Sequence, residues 1–346
     1  MKKILLSILL IAAAAATFAQ ENANHSSNTI TRMEEEILLF QRLSDIAYVD
    51  VVRLAGPAKA VAKEKGCEFV DSLRFNPLKF YAYVFIPRFA KQGEKYPLLV
   101  YSHGGIHANV GPGLYHTIRE MVAQGYIVVS ADYRGSTGYG KSLYEAIDYG
   151  GLENEDVLAA RDYMVENYSI VDSTRVGAIG WSHGGMISLM NVLRYPEKYA
   201  CAYAGVPVSD VTYRLSYQEK SYLGNFIQPY HIGASPEEKP EEYARRSPVT
   251  YASQLQRPLM ITTCINDDDV SWTEVNRMIE ALKAAGKDFE YKIYGKTAGG
   301  HAFERLDIKE ATDIRFETYK FLAKYLNPPY PFNSHDELRQ SGYYFY

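Results

Sequence analysis

Short runs of apolar residues recur along the chain, separated first by polar turns and later by segments with helical periodicity. Eight runs have the length and the β-branched and aromatic content of strands: Ile46–Leu54, Phe80–Ile86, Leu98–Ser102, Tyr126–Ala131, Arg175–Gly180, Ala202–Val206, Leu259–Cys264 and Phe289–Tyr294. Helices are predicted at Arg32–Leu43, Tyr115–Gln124, Glu155–Tyr168, Gly185–Arg194, Trp272–Ala285 and Ala311–Tyr325. Strands alternating with such helices predict an α/β fold, a mostly parallel sheet with helices on both faces. The first two strands have no helix between them, which predicts an antiparallel edge.

The predicted elements are grouped around one core at residues 95–326. Residues 20–94 form an N-terminal lead-in with the first edge strands, and residues 327–346 form an aromatic C-terminal tail. Residues 207–247 interrupt the alternation with a polar, Tyr-rich stretch that contains several prolines. Because an excursion of this length in a compact enzyme is usually a lid or a binding loop, we predict a lid-like insertion there.

Residues 1–19 have the three parts of a signal peptide. Lys2 and Lys3 supply the charged start, Ile4–Ala16 the apolar stretch, and Thr17–Ala19 a small-residue cleavage site. The apolar stretch is shorter than a bilayer span, and no later run reaches the roughly 18 apolar residues that a span needs, so no membrane insertion is expected. We therefore predict an exported protein, periplasmic or extracellular.

Composition and charge exclude several classes of partner. The 346 residues carry a net charge of −4 without a basic run in the mature part, so nucleic acid is not an expected partner. Cys67, Cys201 and Cys264 show neither zinc-site spacing nor a disulfide framework. Gly135–Gly140 contains spaced glycines but lacks the helix and the acidic residue of a dinucleotide loop, and no cofactor is predicted. The sequence contains no signature of an oligomeric state.

The strongest chemical motif is Gly180-Trp181-Ser182-His183-Gly184, which joins a predicted strand to a predicted helix. That setting is typical of a nucleophile elbow, in which a strained turn projects the serine side chain. Gly180 and Gly184 let two backbone segments approach each other because they have no Cβ. The motif predicts Ser182 as a nucleophile and the backbone N–H of His183 as one donor of an oxyanion hole.

An activated serine requires a base and an acid that orients the base. The candidate base is His301, in a Gly-rich loop after the last predicted strand. The candidate acid is Asp267, at the carboxyl end of a buried strand, where open α/β sheets place their sites. Its neighbours Asp268 and Asp269 leave that choice open on chemical grounds. The order serine, acid, histidine is that of the α/β hydrolases.

A second oxyanion donor is expected from the loop after the third predicted strand, which begins His103-Gly104-Gly105. The glycines let the backbone turn an N–H group toward the site, so Gly104 or Gly105 is the candidate donor. An alternative interpretation is that His103, His107 and His116 bind a metal ion. No carboxylate accompanies them at ligand spacing, and we predict no metal site.

Together these segments resemble the catalytic domain of the prolyl oligopeptidase family of serine peptidases (family S9), an α/β-hydrolase branch. The matching segments run in family order: Tyr101–Gly105, Ala131–Gly140, Gly180–Gly185, Ser247–Val249, Asn266–Val270 and Gly300–Phe303. The resemblance implies that Asp267 is the triad carboxylate. It also implies that Val270 forms the apolar wall of a proline pocket. His103, at the place of an oxyanion-hole tyrosine in several members, and Tyr213 are further candidate pocket residues.

Two departures from the family bear on the substrate. Family peptidases usually carry a β-propeller before the hydrolase domain, but residues 20–94 are too few for one. The stretch after Val208 does not present the family's aromatic pocket. The leading hypothesis is a serine peptidase that acts on short peptides through an acyl-enzyme. The alternatives are a carboxylic-ester hydrolase for a carbohydrate or other small ester, and a catalytically inactive binding module on the same fold.

Overall fold

The computed structural model describes residues 28–57, 78–227, 231–302 and 307–342, and one eight-stranded sheet organises them. Its strands are β1 (Ala47–Gly56), β2 (Leu78–Pro87), β3 (Tyr96–Ser102), β4 (Ile127–Asp132), β5 (Val171–Trp181), β6 (Cys201–Gly205), β7 (Leu259–Cys264) and β8 (Glu290–Tyr294). Their spatial order is β1-β2-β4-β3-β5-β6-β7-β8. β2 is antiparallel to both of its neighbours, and the other pairs are parallel. The predicted α/β fold and its antiparallel edge are confirmed.

Helices pack on both faces of this sheet. In the described part of the chain they are α1 (28–43), α2 (Tyr115–Ala123), α3 (Lys141–Tyr144), α4 (Glu153–Asn167), α5 (His183–Arg194), α6 (Val211–Tyr217), α7 (Lys220–Phe226), α8 (Pro240–Arg245), α9 (Trp272–Ala284), α10 (Lys309–Leu326) and α11 (His335–Gly342), with 3-10 segments at Pro112–Leu114 and Pro248–Gln254. No helix among them is long and apolar enough to cross a bilayer.

Two hydrophobic cores lie on opposite sides of the sheet because successive side chains of a strand point to opposite faces. In β3, Leu98 and Val100 enter one core, and Leu99 and Tyr101 enter the other. Apolar side chains of α4, α5 and α9 fill the first core, and those of α1, α2, α10 and α11 fill the second. All seven residues of β3 are buried, as expected for a central strand of a parallel sheet.

The carboxyl ends of the central strands position the site. Trp181 at the end of β5 pairs with Gly205 of β6, and Gly205 pairs with Thr262 of β7. Because these strands are parallel, the segments that follow them leave the sheet at the same edge. The segments that follow β5 and β7 contain Ser182 and Asp267.

The insertion at 207–247 contains the short helices α6, α7 and α8. The side chain of Asp210 accepts the N–H of Tyr213 at 2.9 Å and caps α6. Val211, Phe226 and Tyr243 are buried, so each of the three helices contributes a side chain to the first core. Its role as a lid stays a prediction.

The structure describes more of the C-terminal end of the chain than of the N-terminal end. The predicted signal peptide at residues 1–19 lies outside the described residues, as do Cys67 and Phe303. The C-terminal tail packs against the second core, where Leu338 is fully buried. The N–H of Tyr330 donates to the carbonyl oxygen of Gln124 at 3.0 Å and ties the tail to the end of α2.

Candidate active site

Ser182 occupies a strained turn between β5 and α5. Its backbone has φ 58° and ψ −122°, a combination that costs a non-glycine residue about 1–3 kcal/mol. A Cβ on Gly180 would lie 2.3 Å from the carbonyl oxygen of Gly184, and one on Gly184 would lie 2.1 Å from that of Ser102. The two glycines therefore allow the strand and the helix to approach. The N–H of Ser182 donates to Gly205 at 2.9 Å, which fixes the turn to β6.

The side chain of Asp267 is fully buried and holds the imidazole of His301. Its carboxylate oxygens lie 2.8 and 2.9 Å from Nδ1 of His301. The backbone N–H groups of Asp269 and Val270 donate to Oδ1 at 3.0 and 2.9 Å. Because Nδ1 carries the proton toward this carboxylate, Nε2 is the ring nitrogen that can take a proton from a substrate or a serine.

The loop that carries His301 is fastened to the turn that carries Asp267. The side chain of Asn266 donates to the carbonyl oxygen of Thr297 at 2.8 Å and accepts the N–H of the same residue at 2.9 Å. The thiol of Cys264 donates to the carbonyl oxygen of Gly300 at 3.0 Å. Sequence reasoning did not identify Asn266 as a positioning residue. Its place beside the candidate acid was the available signal.

Gly104 lies directly against the candidate nucleophile. A Cβ built on this residue would be 3.2 Å from the carbonyl oxygen of Trp181 and 3.5 Å from Cβ of Ser182. Gly105 has φ +73°, a conformation that favours glycine. The hydroxyl of Tyr133 lies 2.9 Å from the carbonyl oxygens of both His103 and Gly105 and shares its proton between them. These contacts fix the conformation of the loop.

The imidazole of His103 supports the loop from inside the protein. Nδ1–H donates to the carbonyl oxygen of Gly104 at 3.0 Å, and Nε2 accepts the hydroxyl of Ser136 at 3.1 Å. The ring stacks on Tyr133 with centroids 4.2 Å apart. Burial lowers the pKa of His103, which favours the neutral ring that this pattern requires. With 1% exposure, the side chain does not face an open pocket.

The other two candidate pocket residues differ in their exposure. Val270 is fully buried. Tyr213 is half-buried, and its hydroxyl donates to Oγ1 of Thr273 at 3.1 Å. The guanidinium of Arg277 lies 4.6 Å from the centroid of the Tyr213 ring, so the ring is held between α6 and α9.

Asp132, in the segment Ala131–Gly140, ties three distant parts of the chain together. Its carboxylate accepts the N–H of Val110 at 2.7 Å and the hydroxyl of Tyr139. Arg32 of α1 lies 3.5 Å from the same carboxylate. These contacts anchor the loop that follows β3. The carboxylate of Asp132 thus has a structural role, which was not predicted from the sequence.

A buried glutamate lies behind the turn that carries the nucleophile. Oε1 of Glu153 is 3.1 Å from Nε2 of His183, and both side chains are nearly inaccessible to solvent. Glu153 also accepts the N–H groups of Gly150 and Gly151. Burial alone would raise the pKa of Glu153, but the hydrogen bond and charge of His183 and the backbone donors lower it to about 2. This ionised group fixes the residue whose N–H is the predicted oxyanion donor.

The three histidines considered as metal ligands have other partners. Nδ1 of His107 lies 2.8 Å from the carbonyl oxygen of Gly135, and the ring stacks on Tyr144. Nε2 of His116 lies 3.3 Å from the hydroxyl of Thr117. Within the described ranges, no three His, Cys, Asp or Glu side chains converge as a metal site.

Comparisons with known proteins point to one family. A family model described as the prolyl oligopeptidase family matches residues 112–329. Dipeptidyl aminopeptidase BIII of Pseudoxanthomonas mexicana is 28% identical over 256 residues, which cover 71% of this chain and 36% of that protein. Human dipeptidyl peptidase 8 is 28% identical over 258 residues, which cover 71% of this chain and 27% of that protein. The chain thus spans about a third of the length of the curated relatives it matches.

Solved structures give the same fold. The acylaminoacyl peptidase of Pyrococcus horikoshii superposes with a TM-score of 0.67 at 19% identity, over 87% of this chain and 45% of that one. At this level of identity, the likeness concerns the fold.

Proposed function

Because the chain belongs to the prolyl oligopeptidase family of serine peptidases, we propose that it cleaves short peptides through an acyl-enzyme. Ser182 is the nucleophile, His301 the general base and Asp267 the acid that orients the base. The observation that carries the proposal is the Asp267–His301 pair, with 2.8 and 2.9 Å contacts at the sheet edge where Ser182 also lies. The strained backbone of Ser182 supports its role, since such strain clusters at functional residues.

The proposed reaction has two halves. Oγ of Ser182 attacks the scissile carbonyl carbon while Nε2 of His301 takes its proton, and the buried carboxylate of Asp267 stabilises the imidazolium. His301 then gives the proton to the leaving amine. Water, deprotonated by the same imidazole, attacks the acyl-enzyme and releases the acid, which restores Ser182.

The oxyanion that forms in each half is proposed to bind two backbone N–H groups. One belongs to His183, at the first turn of α5, where the helix dipole also favours negative charge. The other belongs to Gly104 or Gly105. Support for the second donor is the contact of Gly104 with the nucleophile, where a Cβ would lie 3.5 Å from Cβ of Ser182.

The substrate class is tested by paired hydrolysis with the full chain, using a short peptide p-nitroanilide and p-nitrophenyl butyrate. We expect anilide cleavage that falls about a million-fold in Ser182→Ala, since removal of the nucleophile disables the triad as a unit. Ser216→Ala, whose side chain is exposed on α6, is the matched control. An undiminished rate in Ser182→Ala would contradict the mechanism. Serine-dependent ester turnover without anilide cleavage would replace the peptidase with the ester hydrolase.

We also propose that the protein is exported. The proposal rests on the charged, apolar and small-residue parts of residues 1–19. Protein recovered from the envelope or medium of the producing cell is expected to begin at Gln20. A mature protein that begins at Met1 would overturn this proposal.

A further inference from the structure

A second carboxylate faces the candidate base from the side opposite Asp267. Oδ2 of Asp269 lies 3.6 Å from Nε2 of His301, the nitrogen that must handle the proton. The side chain of Asp269 is 50% exposed, whereas that of Asp267 is fully buried. Asp269 therefore presents a negative charge to solvent, immediately beside the reacting groups.

The orientation of this carboxylate is fixed by a buried arginine of the insertion. Nη2 of Arg214 lies 2.5 Å from Oδ1 of Asp269, and Nη1 donates to the carbonyl oxygen of Asp269 at 3.1 Å. Arg214 is 3% exposed and donates to the hydroxyls of Tyr217 and Tyr222 at 3.1 and 3.0 Å. With Oδ1 held in this way, Oδ2 is directed at the imidazole. The arrangement is built by two separate segments of the chain.

The charge of Asp269 is only partly balanced. Nη1 of Arg214 also lies 3.7 Å from the carboxyl group of the buried Glu274, so one guanidinium is shared between two acidic groups. The carboxylate of Asp268, the preceding residue, is exposed to solvent, and the contact with the imidazole of His301 is made by Asp269. A cation on the substrate would be attracted to Oδ2 of Asp269, and a carboxylate there would be repelled.

We propose that Asp269 is a specificity-determining residue that binds the protonated α-amino group of a short peptide. The inference rests on the proposed function and narrows its substrate class to peptides with an unblocked amino terminus. Nε2 of His301 must come within about 3 Å of the serine oxygen during the reaction, and Asp269 is held next to that nitrogen. Since an extended residue spans about 3.5 Å, the amino group lies within about two residues of the scissile carbonyl.

The test compares Ala-Ala p-nitroanilide with its N-acetyl form, scored as the ratio of their Ser182-dependent kcat/KM values. We expect the wild type to favour the unblocked substrate at least tenfold. Asp269→Asn, which keeps the shape and removes the charge, should lower that ratio at least tenfold. Asp268→Asn removes a neighbouring exposed charge and should leave the ratio within about twofold. Each ratio compares the two substrates with the same protein variant, so a general loss of activity in that variant cancels.

Three results would overturn the proposal. A ratio that Asp269→Asn does not change means that Asp269 acts on His301 alone or has no role in binding. A wild type without preference for the unblocked substrate has no amine site. If N-acetyl-Ala-Lys p-nitroanilide is cleaved with a higher kcat/KM than unblocked Ala-Ala p-nitroanilide, and Asp269→Asn abolishes this advantage, the site binds a side-chain ammonium group.

Failure of the proposed function is distinguishable from these results. If neither anilide is cleaved, Ala-Ala amide and N-acetyl-Ala-Ala amide are compared as competitors of fluorophosphonate labelling at Ser182. Stronger protection by the unblocked amide, lost in Asp269→Asn, supports the amine site even then. Equal protection by the two amides overturns it.

Discussion

Three consecutive aspartates, Asp267, Asp268 and Asp269, have different surroundings and therefore different chemistry. Asp267 is fully buried and accepts two backbone N–H groups together with the imidazole of His301. Asp268 is exposed. Asp269 is half-exposed, and a buried arginine fixes it. Residue type alone does not separate them, because their side-chain partners are distant in sequence: His301 lies 34 residues from Asp267, and Arg214 lies 55 residues from Asp269.

The buried acid Glu153 gives a prediction about pH. Its pKa is lowered from 4.5 to about 2, so its ionised form stabilises the folded state above pH 4.5 and this stabilisation is lost as the pH falls toward 2. A shift of this size corresponds to about 3 kcal/mol. We expect Glu153→Gln to lower the free energy of unfolding by that order at neutral pH, and by progressively less between pH 4.5 and 2.

The measurement is urea unfolding of both proteins across this pH range. Glu166→Gln, on the exposed side of the same helix α4, is the control and should change the free energy of unfolding by less than about 0.5 kcal/mol. A deficit of Glu153→Gln that stays constant down to pH 2 would show that ionisation of Glu153 does not stabilise the fold.

At the residue scale, the sequence predicts a catalytic triad but not the residues that support it. Ser182 and His301 stand in Gly-rich motifs whose spacing and order were sufficient to propose them, whereas Asp267 was preferred to Asp268 and Asp269 only through the family resemblance. Asn266, Asp132, Glu153 and Arg214 act through partners that only the folded chain brings near. Val110, for example, meets Asp132 across a 22-residue separation. No local pattern encodes such a pair.

At the scale of elements, a buried ion pair joins α2 to α10. Nε of Arg315 lies 2.9 Å from Oε2 of Glu120, and both side chains are 1% exposed. The hydroxyl of Tyr319 donates to the same carboxylate at 2.8 Å. Glu120→Gln leaves a buried guanidinium without its carboxylate, and we expect a loss of about 3–5 kcal/mol in the free energy of unfolding.

Urea unfolding of Glu120→Gln measures this loss. The exposed pair of Lys324 and Glu290, 3.1 Å apart, supplies the control, because Glu290→Gln should cost less than about 1 kcal/mol. Equal effects of the two substitutions would mean that burial does not govern the strength of these ion pairs. Since neither Glu120 nor Glu290 is among the proposed catalytic or oxyanion-hole residues, activity per folded molecule should not change in either variant.

The strands and long helices were predictable because their apolar periodicity reflects burial on the sheet. Their ends were less predictable. β5 begins at Val171 rather than Arg175, and α4 begins at Glu153 rather than Glu155. The helices of the insertion were not predicted. Each has six or seven residues, too few to be stable alone, and their order comes from tertiary contacts such as those of Arg214.

At the scale of the whole molecule, the C-terminal tail completes the second core. Leu338 of α11 is fully buried against α2 and α10, far along the chain from the catalytic motifs. We expect Leu338→Ala to lower the free energy of unfolding by about 2–5 kcal/mol, because the deletion leaves a cavity. Met33→Ala, on a side chain of α1 that is 63% exposed, should change it by less than about 1 kcal/mol.

Thermal unfolding monitored by circular dichroism compares the two variants with the wild type. A Leu338→Ala protein as stable as Met33→Ala would mean that the tail contributes nothing to the core.

The architecture and the family were predictable from the order of motifs along the chain. The packing of the tail was not, because its burial depends on surfaces formed by residues 115–123 and 309–326.

The most direct test of the proposed chemistry is covalent labelling of the folded chain with a fluorophosphonate, read by peptide mass spectrometry. Attack by Oγ of Ser182 forms the serine–phosphorus bond and expels fluoride, while His301 accepts the proton. We predict one adduct per chain, on the peptide that contains Ser182. Labelling should be absent in Ser182→Ala and slowed at least a thousand-fold in His301→Ala. Labelling that persists in Ser182→Ala, or a folded protein that does not label, would contradict the assignment of Ser182 as an activated nucleophile.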